Sequence, residues 1–170
     1  ESPAPAAASP EPAPAPVALP WPYRGRIRFT VTRGEGEQTT LVGQSTHTWQ
    51  HDDATYTLQT LTETVGMAAV FRPAKVVQTS EGTLGAEGIV PQEFRVERMG
   101  QAAERARFDR TAMKVTLLSG ERIRRELPLV AGSQDILSQI YQLGLTRAAR
   151  IELMIATGKS YGRHVFETVG

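Results

Sequence analysis

Alternation of apolar and polar residues, restarting about every ten residues, constrains this chain more than any other feature. In RGRIRFTVTR (24–33), Ile27, Phe29 and Val31 fall on one side, while Arg26, Arg28, Thr30 and Thr32 fall on the other. Successive side chains of an extended chain point to opposite faces, so this pattern builds a half-buried antiparallel strand. The same texture returns at 39–49, 54–65, 74–80, 83–90, 93–99, 103–110, 113–118 and 121–127, and again near 151–157 and 160–169. Turn-forming residues separate the stretches: GEGEQ (34–38), Asp52-Asp53, Gly66, Glu81-Gly82, Pro91, Met99-Gly100 and Ser119-Gly120. Strands spaced in this way predict an all-β, mainly antiparallel domain, either a curled sheet or a β-barrel-like one.

One segment departs from the pattern. SQDILSQIYQLGL (133–145) sets Ile136, Leu137, Ile140 and Leu143 on one stripe of a short amphipathic helix. Ser133 or Asp135 can cap its start, and Gly144 lies near its end. A lone helix in such a chain plugs the opening of a barrel or covers an open sheet.

Residues 1–22 belong to a different regime, with eight of the eleven prolines. Each proline removes a backbone donor and drives its predecessor into extended conformations, so this Pro/Ala-rich stretch reads as a disordered, semi-rigid spacer. Trp21 and Tyr23 mark its junction with the β domain at 23–170. Such spacers suit a domain held away from a membrane by an anchor preceding the chain. An SH3-type ligand is disfavoured, because the spacer carries no Arg or Lys.

Composition removes several chemistries. There is no cysteine, hence no disulfide, thiolate zinc site or cysteine nucleophile. A net charge of +1 supplies no global field for nucleic acid or acidic lipid. No apolar run reaches the roughly 18 residues that a spanning helix needs.

The short motifs are weak. GKSY (158–161) resembles the end of a phosphate-binding loop, but Leu153 stands where that loop requires glycine. Thr39 likewise breaks a dinucleotide fingerprint begun at Gly34 and Gly36. In HTWQH (47–51) the two histidines stand four apart, a separation of about 13 Å on a strand, too far for one metal. Neither metal nor cofactor is expected. Glu63, Glu93, Glu97 and Asp109 are the acids available for a hydrolytic pair, although no two of them stand out.

Two features point to binding. Residues 93–125 carry nine bases against five acids, and Arg95, Arg105, Arg107, Arg122 and Arg124 are candidates for a face that docks an anionic partner. The alternative is cross-strand ion pairing with acids such as Glu97, Glu104 and Glu121. This face lacks the interleaved aromatics of a nucleic-acid platform, so no nucleic acid is expected. GMAAVF (66–71) forms an apolar run that can act as a lip over a ligand cavity, or else fill the core at a sheet corner.

These stretches also carry a family resemblance. GRIRFTVTRGEG, GQSTHTWQHDDATYTLQTLTETVGMAAVFRPAKVVQTSEG, PQEFRVER and the helix QDILSQIYQLGL together resemble the bacterial envelope family catalogued as domain of unknown function 3108. The similarity runs from about Tyr23 to Gly170. It implies an exported protein of Gram-negative bacteria with an antiparallel β fold and one short helix. It also implies further strands beyond Gly170, which would take part in closing a barrel. It carries over no catalytic residues.

The expectation is therefore a non-enzymatic periplasmic domain, tethered to the inner membrane through an N-terminal segment not in this chain. Its ligand would be an apolar or amphipathic envelope molecule, a lipid or lipoprotein, lined by Trp49, Tyr56, Met67, Phe71 and Tyr141. The alternative is a structural adaptor docking an envelope protein or anionic polysaccharide through the arginine-rich strands. A carboxylate-based hydrolase is the least favoured reading.

Overall fold

The computed structural model describes residues 18–36, 39–146 and 148–169. Eight strands follow one another as an antiparallel meander: β1 (Arg24–Arg33), β2 (Thr40–His51), β3 (Thr55–Thr64), β4 (Lys75–Gly85), β5 (Gly88–Arg98), β6 (Glu104–Asp109), β7 (Lys114–Ser119) and β8 (Arg122–Pro128). β1 and β8 do not pair with each other, so the open-sheet alternative holds and no barrel closes among the described residues. A helix of one and a half turns, α1 (Gly66–Phe71), interrupts the path from β3 to β4. After β8 come β9 (Gln134–Asp135), α2 (Ser138–Leu145), β10 (Arg150–Ala156) and β11 (Tyr161–Glu167), with a three-stranded sheet ordered β11-β10-β9.

Most expected strands appear within a residue or two, but three of them merge into two. Glu81-Gly82 and Pro91 are not turns. Gly82 lies opposite Pro91 in the β4–β5 ladder, where the register shifts by a bulge between Glu81 and Gly82. A Cβ at Gly82 would sit 2.2 Å from the Val90 carbonyl oxygen, so the backbones approach too closely for any side chain. Pro91 is tolerated at such a bulge because it has no N–H to leave unpaired. The true reversal lies at Ala86-Glu87, between Gly85 and Gly88. Part of the turn expected at 34–38 falls outside the described residues. So do residues 1–17 of the expected spacer.

The expected helix also starts five residues late. Gln134 and Asp135 are extended and pair in parallel with β10, while the Ser133 amide closes a turn onto the Val130 carbonyl at 3.2 Å. The apolar stripe is broken too: Leu137 is buried, whereas Ile140 is 56% exposed. What holds α2 to the sheet is partly polar. The Gln142 amide donates to the Glu87 carbonyl at 2.9 Å and accepts from the Ile89 amide at 2.9 Å. Gly88 permits this seat, since a Cβ there would lie 2.4 Å from the Gln142 side-chain oxygen.

The core fills the sheet face beneath this second layer. Tyr56, Leu58, Phe94, Val96, Ala106, Val115 and Leu117 supply the sheet side; Leu129, Leu137 and Ala156 close over it. Leu19 and Trp21 pack against the same cluster. They are pinned by Trp49 Nε1 donating to the Pro22 carbonyl (2.9 Å) and by the His51 amide donating to Tyr23 (2.7 Å).

Candidate functional site

The core face of the meander is longer than the layer that covers it. Opposite partners in a ladder share a face. Trp49 and Leu58 are partners at the covered end; moving away from it, the pairs become Ile27 with His47, Phe29 with Ser45 and Val31 with Gly43. Ile27, Phe29 and Val31 are 49%, 48% and 39% exposed. They have the alternation of core residues without a covering layer. His47 sits edge-on to Phe29 with ring centres 5.1 Å apart, and burial lowers its pKa, so the imidazole is neutral at neutral pH. The strip therefore carries no charge between Ile27 and Val31.

At the far end the strip opens into a cleft of about 380 Å³. Val31, Gly43, Thr62 and Val76 line it from the sheet, and Ala68 lines it from α1. Gly43 leaves room on the sheet side. A Cβ there would come 2.9 Å from the Glu63 carbonyl oxygen and 3.6 Å from the Val31 Cβ. α1 is positioned by Gly66, whose φ of +59° is left-handed, and by Thr64 at the base of the excursion. The Thr64 hydroxyl donates to the Arg72 carbonyl (3.1 Å) and accepts from the Ala74 amide (2.9 Å), while its backbone amide donates to Ala74 (3.0 Å). Arg33 and Arg72 also line the cleft, and neither guanidinium has an ion pair or hydrogen bond among the described residues.

The five residues read as ligand contacts are not gathered here. Met67 and Phe71 lie on α1 but are 69% and 75% exposed; Ala68 is the α1 residue that joins Arg72 in lining the cleft. Trp49, Tyr56 and Tyr141 sit at the covered end. The Trp49 indole lies where a Cβ on Gly25 would be, 2.0 Å from the ring. Tyr141 packs edge-on to Trp21 at 5.6 Å. Tyr56 is 3% exposed, and its hydroxyl lies 3.1 Å from Ser80 Oγ. Ser80 in turn donates to the wholly buried Asp135 at 2.6 Å. Burial raises the pKa of Tyr56 well above its usual value.

The arginine-rich strands are largely matched by acids. Arg95 pairs with Glu97 (2.6 Å), Arg105 with Glu121 (2.5 Å) and Arg107 with Glu93 (2.8 Å). Arg122 and Arg124 are exposed on the edge strand β8, without an ion pair among the described residues. The four acids considered for hydrolysis are engaged: Glu93 and Glu97 in those pairs, Glu63 by the Gln44 amide (2.7 Å), and Asp109 by the Ala112 amide (2.8 Å). GKSY forms the β10–β11 turn, where Lys159 pairs with Glu104 at 3.0 Å. No group of three or more His, Cys, Asp or Glu able to hold a metal ion occurs among the described residues.

The sequence pointed to a lip at 66–71 over a cavity, but not to Ala68, Val31 and Gly43 as its lining. Its signals were present in the unaccompanied glycine at position 43 and in apolar positions on a first strand that has nothing to pack against.

No curated protein and no solved structure matches the chain. A family model described as protein of unknown function (DUF3108) matches residues 28–170, a span that takes in every strand from β2 onward, the uncovered strip's Phe29 and Val31, and the whole cleft. With most of its length inside that match, the chain belongs to the DUF3108 family.

Proposed function

We propose that this is a non-enzymatic domain of the bacterial periplasm, held on a membrane tether, that binds an amphipathic envelope molecule of the lipid class. The observation that carries the reading is the uncovered run of core face from Ile27 to Val31 leading into the apolar cleft beneath α1. Contiguous apolar surface left in water costs about 25 cal/mol per Å², and where it is concave and capped by a separate element it marks a binding surface. A cleft of this volume lies near the small end of the roughly 300–1,000 Å³ range of ligand sites, which suits one acyl chain. The adaptor reading has weaker support, because Arg95, Arg105 and Arg107 already have acidic neighbours.

The test is native mass spectrometry of protein purified from an envelope fraction, beside Ala68→Glu, which places a charge in the cleft from α1 without touching the sheet. A lipid-sized adduct on the wild type that is lost in Ala68→Glu is the expected result. A bare mass for both proteins, or an adduct indifferent to the substitution, removes the cleft from the reading.

A further inference from the structure

The geometry points to a single-chain amphiphile with an anionic head, its charge held between Arg33 and Arg72 and its hydrocarbon laid along the core face of β1. This assignment rests on the cleft being the ligand site and adds which end of the ligand goes where. Three observations carry it. Among the described residues, the formally charged ones lining the cleft are Arg33, Arg72 and Glu63. Glu63 is opposite Gln44 in the β2–β3 ladder and accepts the Gln44 amide at 2.7 Å, on the face away from Gly43 and Thr62. That leaves Arg33 and Arg72, whose guanidinium groups have no ion pair or hydrogen bond among the described residues, lining an otherwise apolar space. A planar guanidinium donates two parallel hydrogen bonds to a carboxylate or phosphate, and such charge-assisted bonds are about twice as strong as neutral ones.

The direction follows from β1. Moving along the strand from Arg33, the side chains on the core face are Val31, Phe29 and Ile27, all partly in water. Four residues of strand span about 13 Å, a continuous apolar track for an acyl chain. At the end of that track the sheet passes under Trp49 and the closed core. The cations nearest that end on β1, Arg24 and Arg26, alternate onto the opposite face, whereas Arg33 lies on the core face at the α1 end beside Arg72. A neutral lipid would satisfy the track and leave both arginines unused. A cationic amphiphile would be repelled by them.

The experiment compares cis-parinaric acid with its methyl ester, read by probe fluorescence in the wild type and in the Arg33→Ala/Arg72→Ala double variant. Both arginines are exposed, so the fold is expected to persist, and circular dichroism checks it. The acid is expected to bind about tenfold more tightly than the ester. The double substitution is expected to erase that difference while leaving ester binding unchanged. Added salt should weaken the acid alone. Equal binding of acid and ester to the wild type, or an acid preference that survives the double substitution, overturns the head-group assignment while the cleft stands. Failure of both probes to bind brings down the cleft reading itself.

Discussion

Asp135 shows at the scale of one residue how the two layers are joined. Its carboxylate is wholly buried, with Oδ2 accepting from Ser80 on the sheet and Oδ1 from the amides of Leu137 (2.9 Å) and Ser138 (2.8 Å). The Ser138 hydroxyl returns a bond to the Asp135 amide at 2.9 Å, the reciprocal arrangement of a capping box shifted to the turn before α2. Burial raises the Asp135 pKa in spite of these bonds. A carboxyl whose folded pKa lies above its unfolded value of 3.8 contributes stability below that value, and the contribution is lost as pH rises through the folded pKa. Asp135→Asn is therefore expected to gain stability relative to the wild type as pH rises from about 4 toward neutrality, read from urea midpoints; a constant gap would contradict it. Glu104 carries the opposite sign. Burial opposes its ionised form, but hydrogen bonds from Arg98 and Lys159 outweigh it and lower the pKa, so its contribution is present above 4.5 and lost in acid. Ser80→Ala would leave both the Tyr56 hydroxyl and one Asp135 oxygen without their bonds, at a cost of about 1–3 kcal/mol. The capping role of Asp135 was legible from its place before an apolar stripe. Its bond to Ser80 was not, because 55 residues separate the two.

At the scale of elements, local chemistry decides where strands reverse only when no tertiary contact overrules it. Gly100 and Gly120 adopt left-handed φ values of +72° and +58° and do end strands. Gly82 carries the same residue type with a different task, the bulge against Pro91. Gly82→Ala would drive a methyl group into the Val90 carbonyl, and a loss at or above the upper end of the usual 0.5–3 kcal/mol range is expected, measured by urea unfolding. A loss below about 1 kcal/mol would show that the ladder can shift. α1 is too short to stand alone, since isolated helices below about 12 residues are marginal in water. It has no side-chain cap, so Thr64 is its main restraint. Thr64→Val is expected to speed hydrogen exchange at the Arg72 amide, which donates to Ala68 at 2.8 Å, with a global cost near 1 kcal/mol. The edge strands β1 and β8 bear Arg24, Arg26 and Arg28, and Arg122, Arg124 and Arg125, charges that discourage pairing with other chains.

Over the whole molecule, one sheet face is divided between a covered half and an uncovered one. The covering layer comes from residues after β8 and from the segment just before β1, so both ends of the described chain meet on the same core. Trp21 is half-buried in that contact. Trp21→Ala is expected to lower stability by about 1–2 kcal/mol, less than the 1.5–3 kcal/mol of a fully buried large side chain. An unchanged urea midpoint would detach that segment from the fold. The alternation and the mainly antiparallel β class were determined by the sequence alone, whereas the structure decided that the sheet stays open. Period two is a local property, and it survives whatever the strand packs against. Family membership was legible for the same reason, in continuous stretches of residues. Which half of the apolar face would be covered, and so where the cleft lies, was decided only by the tertiary structure. Phe29 on β1 and Phe94 on β5 have the same local pattern; one is half-exposed and the other has no exposure because α2, β9 and β10 reach only the latter. Burial depends on partners distant in sequence, and the period of a strand says which side needs cover without saying what supplies it.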